Sequence, residues 1–187
     1  VFLRKGAKVM QDNQQIEIRD TIAADIPKLR AMHGQSWLDT YPSPENGVTR
    51  EWVEERIANW VIPEGIAKSQ EHFKEIFGQP NHLHQIAVDG DGEVAGIVHI
   101  SKDEHGQHLQ AIYIDKRYFG TGLAQRLMDI ALAWCDTSQK IYLEVATYNM
   151  RAKAFYEKYN FREKPGTEEL FAEVIPTITM ERRGKTV

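Results

Sequence analysis

Apolar residues follow two rhythms along this chain, and the rhythm changes partway. After a short alternating strand at Ile16-Glu17-Ile18-Arg19, the spacing becomes helical. Thr21 is positioned to cap a helix whose stripe is Ile26, Leu29, Met32 and Trp37. The breakers in Tyr41-Pro42-Ser43-Pro44-Glu45-Asn46-Gly47 stop it. Thr49 can cap a second helix carrying Trp52, Val53, Ile57 and Trp60, and a third stretch runs from about Glu64 to Phe77. The pattern then alternates. His84 to Asp89, the turn Gly90-Asp91-Gly92, and Glu93 to Ser101 read as a hairpin. Leu109 to Ile114 adds a third strand and completes an antiparallel meander.

Helical spacing returns at Leu123, Leu127, Ile130, Ala131 and Trp134. Ile141, Leu143 and Val145 alternate as a strand, and Asn149 to Tyr159 forms another helix. Two further strands are expected near Glu163 to Phe171 and Thr177 to Arg182. Three helices, a meander and then interleaved strands and helices describe an α/β mixed sheet rather than a uniform βαβ array.

The stretch Phe119-Gly120-Thr121-Gly122 lies between a strand and an amphipathic helix. Unpaired N–H groups and the positive end of the dipole gather at such a helix start, and glycines let a ligand come close. The turn is therefore suited to a phosphate or pyrophosphate, although an ordinary strand-to-helix connection has the same form. No Gly-Lys-Ser or Gly-Lys-Thr directly follows the turn, which argues against a nucleoside-triphosphatase loop. A dinucleotide fold is the rival, with Glu144 at the ~20-residue offset of a ribose-binding acid. Against it, Gln125 stands at the third glycine position, and the turn comes too late for a doubly wound sheet.

Composition narrows the choice. The 187 residues suit one domain, expected over 16–187, with residues 1–15 read as a tail outside the fold. A formal net charge of -4 speaks against a nucleic-acid binder. Cys135 is the only cysteine, so no intrachain disulfide forms, and a cytoplasmic location is expected. Val1 to Lys5 lacks the form of a signal peptide, and no apolar run reaches membrane-spanning length. His72, His82, His84 and His105 lack zinc-ligand spacing, so no metal is expected.

Two stretches resemble motifs of the GNAT superfamily of acetyl-CoA-dependent N-acetyltransferases. The first is Phe119-Gly120-Thr121-Gly122-Leu123-Ala124, where the family has arginine or glutamine, then x-x-Gly-x-Gly or Ala; Phe119 departs from that pattern. The second is Leu143-Glu144-Val145-Ala146-Thr147-Tyr148-Asn149, followed by Phe155-Tyr156 and by Tyr159-Asn160-Phe161, with Asn160 where the family usually has glycine. The resemblance covers about Ile16 to Arg182. It implies a central mixed, mostly antiparallel sheet of about six to seven strands, splayed in the middle, with helices on both faces. It also implies acetyl transfer from acetyl-CoA to a primary amine. The main chain of Ile112, Tyr113 and Ile114 would pair with the pantetheine arm, and an N–H near Ile112 would polarise the thioester. Phe119, Gly120, Thr121, Gly122, Leu123, Ala124 and Gln125 would hold the pyrophosphate, and Asn149 would bond to the cofactor arm.

By the same resemblance Tyr156 is the candidate acid, set against a core aromatic on the stripe of Ala152, Phe155 and Tyr159. Glu144 is the candidate base, directly or through water. It lies on the opposite face of its strand from Leu143 and Val145, where a carboxylate is either solvated or turned to the slot. His99 or His108 could replace it. Trp37 and Tyr41 are expected at the acceptor site. Asp39, Glu45, Glu51, Glu54 and Glu55 make that region acidic, which suits a cationic amine such as a polyamine, an amino sugar or a protein amino group. The partners are thus acetyl-CoA and an amine, without nucleic acid or membrane, and a homodimer is kept open. A non-catalytic acyl-CoA-binding module is the other functional reading.

Overall fold

The computed structural model describes residues 16–184, and the expected tail over residues 1–15 lies outside the described residues. The helical half gives β1 (Glu17–Asp20), α1 (Ile26–Thr40), α2 (Arg50–Ile57) and α3 (Pro63–Ile76). The meander is β2 (His82–Val88), β3 (Val94–Asp103) and β4 (Gly106–Ile114). Then come α4 (Leu123–Trp134), β5 (Ile141–Ala146), α5 (Met150–Glu157), β6 (Phe161–Glu163), β7 (Glu169–Phe171) and β8 (Ile175–Arg182).

All strands join one sheet in the order β1-β2-β3-β4-β5-β8-β6, with β7 also on β8. Every pairing is antiparallel except β4 with β5. The expected six to seven strands are eight among the described residues, because the stretch near 163–171 is two short strands. Pro165 and Gly166, the latter at φ 80, turn the chain between them, and both β6 and β7 lie along one edge of β8.

Helices cover both faces. Leu123, Leu127, Met128 and Ala131 of α4 and Tyr156 of α5 pack with Val98, Ile100, Leu143 and Val145. On the other face Leu29 and Met32 of α1 meet Ile86 and Ile97, while Trp37 and Val53 meet Ala146 and Ile175. Residues such as Leu127, Met128 and Phe161 are wholly buried. Each such side chain contributes about 1.5–3 kcal/mol of hydrophobic stabilisation, so the sheet between the two layers is held firmly.

Local signals are mostly realised. Thr49 caps α2, its hydroxyl accepting the Trp52 N–H at 3.1 Å. Asn160 adopts the left-handed conformation, φ 65, at the turn from α5 into β6. Thr21 does not cap α1. It is buried and bonded to Nδ1 of His84 at 2.8 Å, and the chain enters α1 through a 3-10 turn over Ala23–Asp25. There the Asp25 carboxylate accepts the Ile22 N–H at 2.9 Å and the Arg19 guanidinium at 2.7 Å. Cys135 is buried, and burial pushes its thiol up to about 11, which fits a packing role.

Candidate active site

The site begins where β4 and β5 part. They pair only at Gln107↔Ile141 and His108↔Tyr142, while β5 goes on to pair with β8 along its whole length. The register of β3 on β4 jumps at this level: His99 faces Ala111 and Ile100 faces Leu109, leaving Gln110 as the extra residue of a bulge. A bulge bends its strand and re-aims side chains. Here Leu109 belongs to the core under α4, whereas Ala111 and Tyr113 turn toward α1.

Peptide groups alternate between the two edges of a strand. The Asp115 N–H donates to Ala95 on the β3 side at 2.9 Å, so the N–H groups of Ile114 and Ile112 point to the other edge, which β5 has left. Those two peptides face the slot. Tyr113 departs from its expected role: its main chain belongs to the β3 ladder, and it meets the slot through its side chain instead.

A cavity of about 300 Å³ fills the slot. Ile112, Tyr113, Ile114, Phe119, Ala124, Glu144, Asn149, Tyr156 and Tyr41 line it. At its outer end Gly120 and Gly122 have φ 78 and 88, and Gly122 is the N-cap of α4. The first bond of that helix is Arg126 N–H to the Gly122 carbonyl, so the N–H groups of Leu123, Ala124 and Gln125 precede the ladder and open at its start. Thr121 tightens the turn by donating its hydroxyl to the Tyr118 carbonyl at 2.7 Å. The Leu123 side chain is buried in the core, and only its main chain is available at the turn. Asn149 accepts the Ala152 N–H through its side-chain oxygen at 3.1 Å, capping α5 and leaving its amide NH₂ to donate into the cavity.

Tyr156 is buried, with its ring edge-on to Phe155 and Phe161 at 5.6 and 6.0 Å. Burial raises its phenol well above the usual range, and the nearby Tyr41 adds to this. The group is both a core aromatic and a protonated hydroxyl on the cavity wall. Glu144 stands where the cavity meets a second one of about 460 Å³, which His108, Lys164 and Phe171 also line. Burial raises its carboxyl, followed by the charge of Glu169 and a hydrogen bond with it, while His108 works in the opposite direction. A raised carboxyl suits Glu144 to take up a proton more readily than a solvated glutamate would.

On the α1 side the wall is aromatic. The Tyr41 and Tyr113 hydroxyls are 2.6 Å apart, and Tyr148 donates to the Tyr41 carbonyl at 2.7 Å. Burial pushes Tyr113 up to about 12. Trp37 differs from expectation. It is buried behind Tyr41, with ring centroids 4.8 Å apart, and donates its indole N–H to Nε2 of His33 at 3.1 Å. It props the wall rather than forming it. Of the acidic residues expected at the mouth, only Asp39 lines the cavity, and it is paired with Lys116 at 3.2 Å. His99 does not line the slot: it bonds to His82 at 3.1 Å and stacks on it, and its ring lies tilted beside that of His84, against which Phe73 of α3 and Phe77 just beyond it pack edge-on. Arg151, Phe155 and Glu169 were not anticipated. Arg151 had a visible signal, a cation two residues after the capping asparagine, whereas Glu169 sits on a short strand with no period to read.

A model of the acetyltransferase (GNAT) family matches residues 46–161, a span that includes both the glycine turn and the Asn149–Phe161 segment. No curated protein matches the chain. Among solved structures, an acetyltransferase of the GNAT family from Streptococcus pneumoniae is 22% identical, with TM-score 0.67, over 91% of this chain and 100% of that one. The PaiA N-acetyltransferase of Thermoplasma acidophilum, solved in complex with coenzyme A, is 20% identical with TM-score 0.62, over 90% and 99%. Mutant forms of the spermidine/spermine N-acetyltransferase SpeG of Vibrio cholerae are 18% identical with TM-score 0.62, over 89% and 92%.

Proposed function

The chain belongs to the acetyltransferase (GNAT) family, and from that premise we propose that it transfers the acetyl group of acetyl-CoA to a primary amine by direct attack in the slot between β4 and β5. One observation carries the reading: a single cavity joins two unpaired β4 peptides, a protonated tyrosine and a proton-accepting glutamate. The pantetheine arm is an extended chain of amides, and the Ile112 and Ile114 N–H groups along an open strand edge suit it, as does the Asn149 amide. The start of α4 offers the main-chain N–H groups of Leu123, Ala124 and Gln125 to the diphosphate, whereas those of Phe119 and Thr121 are already donated to the Lys116 and Tyr118 carbonyls.

An amine of lysine type has a reference pKa of about 10.4 and reaches the slot mostly as the ammonium. Glu144, directly or through water, takes its proton. The neutral nitrogen attacks the thioester carbon, whose oxygen the Ile112 N–H polarises. The C–N bond forms, the C–S bond breaks, Tyr156 gives its proton to the departing thiolate, and the proton that the nitrogen sheds as it becomes an amide returns through solvent to the Tyr156 oxygen. A placed acid and a placed base each contribute roughly 10²–10⁴-fold. The aromatic wall of Tyr41 and Tyr113, with the Glu144–Glu169 pair opposite, favours a cationic acceptor: a small-molecule amine, a polyamine such as those named for SpeG, or a protein amino group.

The test is thiol release from acetyl-CoA by the purified protein with a panel of amines, alongside calorimetry with coenzyme A. Amine-dependent release is expected. Coenzyme A binding without release for any amine would favour a non-catalytic acyl-CoA-binding module.

A further inference from the structure

The glycine turn opens with Phe119, an uncharged, half-exposed aromatic, and Phe119 to Ala124 bring no charged side chain to a diphosphate there. The cation arrives from another element. Arg151, on the first turn of α5, lays its guanidinium over the Phe119 ring at 3.4 Å from the centroid, and both side chains line the slot cavity. We infer that Arg151, held flat on Phe119, is a diphosphate-binding residue of this enzyme.

The neighbouring cations are otherwise engaged. Lys116 pairs with Asp39 at 3.2 Å, Arg117 with Asp115 at 2.8 Å, and Arg126 donates to the Ile16 carbonyl at 3.2 Å. Arg151 has no carboxylate partner among the described residues and rests on the ring. Its place in the helix is unfavourable for a cation, since the first turn of α5 is the positive end of the dipole. The start of α4, with its open N–H groups, borders the same cavity at Ala124. Two helix starts and a guanidinium without a carboxylate partner among the described residues thus border one cavity, and an anion would relieve all three. Stacking fixes the planar fork while leaving its N–H edge exposed, the arrangement suited to bidentate phosphate recognition.

The inference rests on the slot being the acetyl-CoA site, so the experiment reads the two separately. Coenzyme A and dephospho-coenzyme A are titrated calorimetrically into the wild type, Arg151→Gln, Arg151→Lys and the double variant Arg151→Gln/Phe119→Arg. Failure of the wild type to bind coenzyme A overturns the site and this residue role together. With binding intact, Arg151→Gln is expected to weaken both ligands about tenfold, and Arg151→Lys to fall in between. Affinity should also become less dependent on salt, since one phosphate contact is lost. Returning a cation at position 119 should recover most of the loss. The exposed site leaves folding intact, which thermal melting checks. Unchanged affinity in Arg151→Gln overturns the inference. A loss confined to coenzyme A and absent with the dephospho form assigns the guanidinium to the ribose phosphate and overturns the diphosphate role.

Discussion

The two walls of the slot are built from different material. Toward α4 and α5 the groups aimed into it are largely main chain: peptides of β4 freed by the departure of β5, N–H groups at the start of α4, and a capping asparagine. Toward α1 the wall is made of interlocked side chains, with Tyr41 on Tyr113, Tyr148 on the Tyr41 carbonyl, and Trp37 and His33 behind them. Peptides present the same groups whatever the sequence, so the first wall can hold one invariant cofactor. The second depends on each residue's shape and protonation, so it is where a particular acceptor would be selected. Variants on the two sides should therefore fail differently, and that difference is open to measurement.

The largest effect is expected at Tyr156, which touches both worlds. Tyr156→Phe keeps the ring contacts with Phe155 and Phe161 but removes the proton donor. Steady-state kinetics should give a fall in kcat of about 10²-fold or more with little change in the KM for acetyl-CoA. A normal kcat would make Tyr156 a packing residue alone.

Next is Glu144. Glu144→Gln should lower kcat by about 10²-fold and abolish the acid limb of the pH–rate profile. Glu169→Gln is a subtler probe. Glu144 must be deprotonated to act as base, and Glu169 helps keep its proton on. Removing that charge lowers the Glu144 pKa, so the acid limb should move to lower pH while the plateau stays close to wild type. An unmoved limb would mean that the pair does not control the base.

Much of the first wall could be read from the chain and much of the second could not, for the same reason. A glycine turn before an amphipathic helix, and an asparagine before an aromatic pair, are local patterns, and local patterns survive folding: Gly120 and Gly122 take positive φ in a tight turn and Asn149 caps α5. The bulge at Gln110 leaves no period of its own, yet it decides which face Leu109 and Ala111 take. Thr21 reads as a cap and serves instead as a partner for His84, 63 residues away. Trp37 and Glu169 are likewise set by tertiary neighbours: helical spacing could make Trp37 apolar and inward, but only packing puts Tyr41 between it and the cavity.

The α1–α3 side also carries a pH liability in a layer of buried histidines. Burial lowers His33 and His84 to about 3 and His99 to about 4, with neighbouring charges adding to it: Arg30 for His33, His99 for His84 and His82 for His99. In the unfolded chain these imidazoles take protons near pH 6.5, so below that the unfolded state binds more protons than the native one. Stability is complete above about pH 6.5 and lost as pH falls toward 3, at up to about 1.4 kcal/mol per pH unit for each histidine while it stays neutral. Melting temperature should drop between pH 7 and pH 5. His84→Gln should flatten that dependence, whatever it does to the melting temperature at pH 7. An equal slope in the variant would clear the histidine layer of responsibility.

The smallest effect sharpens the contrast from the main-chain side. A Cβ added at Gly120 would meet nothing within 4 Å, so Gly120→Ala creates no clash, and its cost is the left-handed conformation alone. That cost is about 1–2 kcal/mol. The protein can pay it in one of two ways. If the turn keeps its shape, the loss appears as a small drop in melting temperature with cofactor affinity preserved. If the turn relaxes to negative φ, the N–H groups at the start of α4 lose their common aim and the KM for acetyl-CoA rises by up to roughly tenfold, with kcat and the amine KM untouched. Either outcome leaves the aromatic wall intact. A change in amine preference from this one methyl group would mean that the two walls are coupled and that the division between them is wrong.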